Sequence, residues 1–166
     1  ILGSDTILNA GPTTTSDIFI IKYDSSGNII WTKGGNGENT DYAHNIAMDA
    51  AGNIYIAGIS RSNNFRFGQD TIHNSLNAAF IIKFNPAGQM IWYKTFSPYA
   101  LGWYSITIDS QNNIYLAGTI SASTTIQTIT VVPPATNASL LAKFDSNGNI
   151  TKFFYVKNRY DQVFKC

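Results

Sequence analysis

Residues able to do chemistry are sparse along these 166 residues, and their spacing limits what they can do. Of the ten acidic residues only Glu38 is a glutamate, and the aspartates fall mostly in short turns. A glycosidase needs two carboxylates facing one bond across a defined gap, and no such pair is evident. The aspartate turns also lack the Asp-x-Asp-x-Asp-Gly spacing that presents several oxygens to one calcium ion, so they read as turn caps. His44 and His73 occupy unlike positions in the chain's internal pattern, and no Cys or His pair stands at zinc-ligand spacing. Serines are plentiful, but no Gly-x-Ser-x-Gly elbow or Ser, His and Asp set accompanies them. The sequence therefore offers no catalytic residue, no metal ligand set and no cofactor. Cys166 is the single cysteine and the last residue, so it has no internal disulfide partner.

The elements that hold these residues come from a repeat. The run Phe-Ile-Ile-Lys-Tyr-Asp-Ser-Ser-Gly-Asn-Ile-Ile-Trp ends at Trp31, and returns as Phe-Ile-Ile-Lys-Phe-Asn-Pro-Ala-Gly-Gln-Met-Ile-Trp ending at Trp92. A third copy, Leu-Ala-Lys-Phe-Asp-Ser-Asn-Gly-Asn-Ile, ends at Ile150. Lys22 to Lys83 is 61 positions and Lys83 to Lys143 is 60. A second block, Asp49-Ala-Ala-Gly-Asn-Ile-Tyr-Ile-Ala-Gly58, recurs as Asp109-Ser-Gln-Asn-Asn-Ile-Tyr-Leu-Ala-Gly118, again 60 positions on. Each unit has four runs rich in Ile, Phe, Tyr and Trp, separated by Gly, Asn, Asp and Ser. For the central unit the pattern predicts strands near 43–49, 53–60, 79–85 and 89–96, and no helix. Consecutive apolar positions such as Phe80, Ile81 and Ile82 predict strands covered on both faces. Hairpin turns are expected at 24–28, 49–53 and 145–149.

Four antiparallel strands repeating every 60 or so residues describe a blade of a β-propeller. The expected fold is thus all-β, made of propeller blades, with the chain an incomplete portion of a larger ring. The expected division is a partial blade with its connection at 1–42, whole blades at 43–102 and 103–158, and the start of another at 159–166. An unclosed propeller leaves sheet faces and edges open, so the expected partners are remaining blades of a longer parent or other copies of the chain. A formal charge of +1 supplies no footprint for nucleic acid, and no apolar run approaches the roughly 20 residues that cross a bilayer as a helix.

With both blocks recurring in order, the sequence resembles the bacterial seven-bladed β-propeller repeat (SBBP) family. The resemblance covers about residues 1–155, and departs from the pattern at Asn112, which replaces a glycine, and at Lys152, where Trp31 and Trp92 have counterparts. It implies a secreted or cell-surface bacterial protein in which propeller repeats accompany other modules, and it implies no catalytic residues. A weaker likeness, to quinoprotein propellers, touches residues 24–31, which are one residue short of that family's tryptophan-docking turn and lack its Ala and Thr.

Binding surfaces of repeat folds come from residues that vary between units. Those that break the repeat near the connections are Tyr42, His44, Arg61, Arg66, Tyr99, Trp103 and Tyr104, with Tyr104 standing where His44 would recur. Aromatic and Arg side chains suit interface anchors and sugar stacking, whereas Trp31, Trp92, Tyr55 and Tyr115 repeat and are expected to pack between blades. Thr6 and Thr71 lie in matching Asp-Thr-Ile segments that look like bacterial surface O-glycosylation sites. The function expected is a non-enzymatic extracellular scaffold, or a protein- or glycan-binding module, of a larger bacterial surface or secreted protein. The alternatives are a propeller enzyme, hydrolase, lyase or quinoprotein-like, completed by further blades, or a structural spacer in an adhesin or motility protein.

Overall fold

A computed structural model describes residues 15–73, 75–96, 101–133 and 138–156, and among these every regular element is a strand. In order they are β1 (Ile18–Tyr23), β2 (Ile29–Gly37), β3 (Asp41–Met48), β4 (Ile54–Ser60), β5 (Asn64–Phe67), β6 (Asp70–His73) and β7 (Ala78–Phe84). They continue as β8 (Met90–Phe96), β9 (Leu101–Ile108), β10 (Ile114–Ile120), β11 (Thr124–Ile126), β12 (Ile129–Val131), β13 (Ala138–Phe144) and β14 (Ile150–Val156). Three four-stranded antiparallel sheets result: β1-β2-β5-β6, β3-β4-β7-β8 and β9-β10-β13-β14, with β11 and β12 forming a separate hairpin. The second and third sheets have the same strand order, and these sheets are the propeller blades that the repeat predicts.

One turn chemistry folds four of the hairpins within the sheets, and Asn85 takes the same place in the β7-β8 turn. In the turn before β4, Asp49 Oδ1 accepts from the Ala51 and Asn53 amides at 3.0 and 2.9 Å, and its Oδ2 accepts from Asn53 Nδ2 at 2.8 Å. The same cap recurs on Asp24, Asp109 and Asp145. The turn needs positive φ at the residue just before its closing Asn, two residues before the next strand begins: Gly52 has φ 80° and Gly148 φ 75°, while Asn112 takes φ 62° where glycine is missing. Asn tolerates that conformation better than other side chains because of its short polar group.

The strands sort their side chains by parity, as pleating demands. On β4 and β7 one face carries Ile54, Ile56, Phe80, Ile82 and Phe84, buried with Ile18 and Ile20 of the first sheet. The opposite face carries Tyr55, Ala57, Ala79 and Ile81, buried with Ile106, Ile114, Leu116 and Leu140 of the third. All seven residues of β7 are buried, which is the two-sided cover that its unbroken apolar run predicts. Burying one such Ile or Phe contributes about 1.5–3 kcal/mol.

The reading of four strands per unit omitted the short hairpins β5-β6 and β11-β12. The first does not join the blade it interrupts. Gly35 to Gly37 of β2 pair with Phe67 to Phe65 of β5, so the hairpin extends the preceding sheet. Phe65, Phe67 and Ile72 are fully buried between the two sheets. Ile126 and Val131 of the second hairpin are buried in the same way beside Phe96. Strands of three or four residues give too brief an alternation to stand out from a polar connection.

Candidate functional site

The repeated polar residues are consumed in joining sheets. Trp31 Nε1 and Lys22 Nζ both donate to the Pro86 carbonyl, at 3.0 and 2.7 Å, in the β7-β8 turn of the next sheet. One repeat later, Trp92 Nε1 and Lys83 Nζ donate to the Ser146 carbonyl, at 3.3 and 3.5 Å. A Cβ on Gly88 would sit 3.0 Å from the Trp31 ring, and one on Gly148 would sit 3.0 Å from Trp92, so glycine lets each indole lie flat on the turn. Lys83 also lies 4.9 Å from the Tyr55 ring centroid, and the Tyr55 hydroxyl donates to Asp49 at 3.0 Å. Trp31 and Trp92 are therefore latching groups between sheets and Tyr55 packs between the second and third, as expected of them, while Tyr115 bonds Asp109 of its own sheet.

Electrostatics agree with a structural role. Hydrogen bonds from the Asn28 and Asn113 side chains hold Asp24 and Asp109 below the ordinary carboxylate value. Burial pushes Asp49 up, but bonds from Asn53 and Tyr55 and the Lys83 charge outweigh it and leave Asp49 low. Burial, with the bond and charge of Asp49, raises the Tyr55 phenol. Among the described residues no group of three or more His, Cys, Asp or Glu could hold a metal ion.

One polar network was missed in the sequence because it does not repeat. Asp41 is buried, and it accepts from Ser60 Oγ at 2.7 Å, Ser62 Oγ at 2.9 Å and the Arg61 amide at 2.9 Å. Burial raises its carboxyl above the usual range despite these bonds. Sixty positions on, the counterparts of Asp41 and Ser60 are Leu101 and Ile120, so an aligned pair of repeats would have flagged a polar cluster. The Asp41 amide donates to the Ser16 carbonyl, which ties this network to the strand end preceding β1. Its hydrogen bonds are all spent inside the fold.

The repeat-breaking residues separate into three groups. Tyr42, His44, Arg61 and Tyr104 come together. The Tyr42 and His44 rings are 6.0 Å apart with planes 14° from parallel, Tyr104 meets His44 edge-on at 5.2 Å, and the Arg61 guanidinium lies 5.3 Å from the Tyr42 centroid. The row crosses from β3 to β9, the corresponding strands of successive sheets. His44 and Tyr104 are each the extra residue of a β-bulge: Ala43 and Asn45 pair with Gly58 and Ala57, and Trp103 and Ser105 pair with Gly118 and Ala117. Bulges re-aim a side chain out of the ladder. Here they need glycine opposite, because a Cβ on Gly58 would strike the Tyr42 carbonyl and one on Gly118 the Gly102 carbonyl.

Trp103 corrects the expectation. It is fully buried against Phe96 and Phe144, at 5.8 and 6.2 Å between ring centroids, and belongs to the core between the second and third sheets. It breaks the repeat because it fills core space where the counterpart is Ala43. Arg66 is exposed on β5 opposite Thr71 of β6, on a different sheet from the aromatic row. Tyr99, Thr6 and Cys166 lie outside the described residues. Two open grooves of about 370 and 260 Å³ run between β1 and β3, the first bordered by Asp17, Phe19, Asp41 and Tyr42, the second by Phe19, Ile21, His44 and Ile46.

Comparison with known proteins fits this architecture. The chain is 26% identical over 126 residues to an uncharacterized WD repeat-containing protein of Acanthamoeba polyphaga mimivirus, a match covering 68% of this chain and 9% of that protein. The chain thus spans under a tenth of that relative's length. Residues 34–66, from the end of β2 through β3 and β4 into β5, match the family model described as "Beta-propeller repeat". One unit later the turn and bulge of that segment recur in β9 and β10, so a beta-propeller repeat is matched at residues 34–66 and its strand pair is repeated in the third sheet.

Proposed function

We propose that this chain is a non-enzymatic β-propeller segment that acts outside the cell as a scaffold and binding module of a larger bacterial surface or secreted protein. One observation carries the reading. The repeated Asp, Asn, Lys, Tyr and Trp side chains are engaged in turns and sheet-to-sheet latches, whereas unrepeated Tyr42, His44, Arg61 and Tyr104 gather in one exposed row. Aromatic and Arg side chains clustered at a surface are the usual anchors of an interface. The partners are a protein or glycan at the row, and further blades or copies at the open sheet faces. Thr71, on the outer hairpin, is the modification site within the described residues.

The test is binding of the purified protein to arrayed bacterial surface glycans and proteins, beside a Tyr42→Ala/Tyr104→Ala variant with an unchanged unfolding midpoint. The reading expects a ligand that the parent retains and the variant loses. A ligand bound equally by both moves the binding surface off the row. Fractionation of the source cells checks the location: the expected outcome is antigen in the surface or medium fraction, and confinement to the cytoplasm contradicts it. Hexose mass on the Thr71 peptide would add support for export.

A further inference from the structure

The aromatic row has a feature that selects among ligands. Among the described residues the Arg61 guanidinium has no hydrogen-bond or ion-pair partner, and it stands over the exposed face of Tyr42. Tyr42 and Tyr104 keep 39% and 37% of their surface exposed, so aromatic surface and a fork of donors lie side by side. Burial lowers the His44 pKa, leaving a neutral imidazole at neutral pH between the two tyrosines. The positive charge of the row is thus concentrated at its Arg61 end.

The row does not merely await cover by another sheet. Tyr104 occupies the position of His44 one repeat later, beside a complete second sheet packed against β9, and it is still exposed. Core positions behave otherwise: Ile46 is 55% exposed, whereas its counterpart Ile106, with a whole sheet beside it, is 4% exposed. The bulge residue Tyr104 therefore stays open with a neighbouring sheet present, whereas the ladder residue Ile106 closes.

Resting on the binding-module reading, we infer that the row formed by Arg61, Tyr42, His44 and Tyr104 binds an acidic saccharide, with sugar faces on the rings and a carboxylate on Arg61. The C–H groups on one face of a pyranose carry partial positive charge and meet the negative faces of aromatic rings. Arg presents paired N–H donors that match a carboxylate, and the tyrosine hydroxyls supply further bonds to sugar hydroxyls. A charged and partly polar aromatic row of this kind suits a sugar chain carrying carboxylates better than an apolar peptide, which needs apolar pockets for its anchors. The geometry spans two sheets, so the ligand is an oligomer and not a single sugar.

Isothermal titration tests this with oligogalacturonate, the same oligomer methyl-esterified, and the uncharged galactose oligomer. The expected result is binding of oligogalacturonate, weakened at least tenfold by esterification, by Arg61→Gln and by Tyr104→Ala, with both variants folded at the titration temperature. Weakening on rising salt should be present in the parent and absent in Arg61→Gln. Equal binding of the acid and its ester, lost in Tyr104→Ala, overturns the acidic specificity while the binding-module reading stands. Oligogalacturonate binding unaltered by either substitution, or no saccharide binding at all, overturns the inference. The reading beneath it fails separately, when Tyr42→Ala/Tyr104→Ala leaves every arrayed ligand bound as before.

Discussion

At the scale of single residues, this protein uses aspartate as a mechanical part. Asp49 satisfies two backbone amides, one side-chain amide and the buried Tyr55 hydroxyl. Removing it in Asp49→Ala leaves those donors unpaired and is expected to cost about 2–3 kcal/mol in denaturant unfolding. The carboxylates also set the pH response. Asp24, Asp49, Asp109 and Asp145 have folded pKa values below the ordinary 3.8. A lowered folded pKa stabilises above the unfolded value, and that stabilisation is lost as pH falls through the folded one. Asp41 is shifted the other way and gains from protonation, but it is one group against four. The unfolding midpoint should therefore hold between pH 7 and pH 5, on the order of an ordinary carboxylate range, then fall below about pH 4. An unchanged midpoint at about pH 3 would contradict this role for the turns. These turns were legible in the sequence because the Asp-x-x-Gly-Asn spacing is itself the cap. Trp103 was not: a residue that breaks a repeat does so either to reach a ligand or to fill a core gap, and only its burial against Phe96 and Phe144 tells which.

At the scale of elements, strands and hairpins divide the work. The eight strands of the second and third sheets were readable because apolar runs alternate with capped turns. The β5-β6 hairpin was not, because its partner lies in another unit and a long-range pairing leaves no local period. Its place depends on Gly35, where an added Cβ would come within 2.7 Å of the Phe67 ring. Gly35→Ala is expected to displace Phe67 from the space between the first two sheets and to cost about 1–3 kcal/mol, as overpacking does. Thermal unfolding checks it, and a Gly35→Ala protein as stable as the parent would mean that the hairpin contributes little to that interface. The bulges in β3 and β9 were equally hidden, yet the swap of His44 for Tyr104 at one repeat position marked the spot where the chain turns a side chain outward.

At the scale of the whole molecule, neighbouring sheets decide what an identical residue contributes. Ile46 and Ile106 sit at the same point of the repeat, one 55% exposed and the other 4% exposed. Ile106→Ala should cost about 2–4 kcal/mol, and Ile46→Ala less than about 1 kcal/mol. Equal losses would show that this chain covers the two positions alike. The 60-residue recurrence made the blades legible, whereas the aromatic row was only half legible, since its members are separated in sequence and meet across two sheets. The central claim is a division of roles: the repeated Trp and Lys side chains latch the sheets, and the exposed unrepeated row of Tyr42, His44, Arg61 and Tyr104 is not needed to hold them together. It is tested most directly by denaturant unfolding of Trp92→Ala beside Tyr104→Ala. The account predicts a loss of about 2–3 kcal/mol for Trp92→Ala, somewhat under that of a fully buried tryptophan, and about 1 kcal/mol or less for Tyr104→Ala. Losses of equal size would contradict it, by making the row a structural part like the latch.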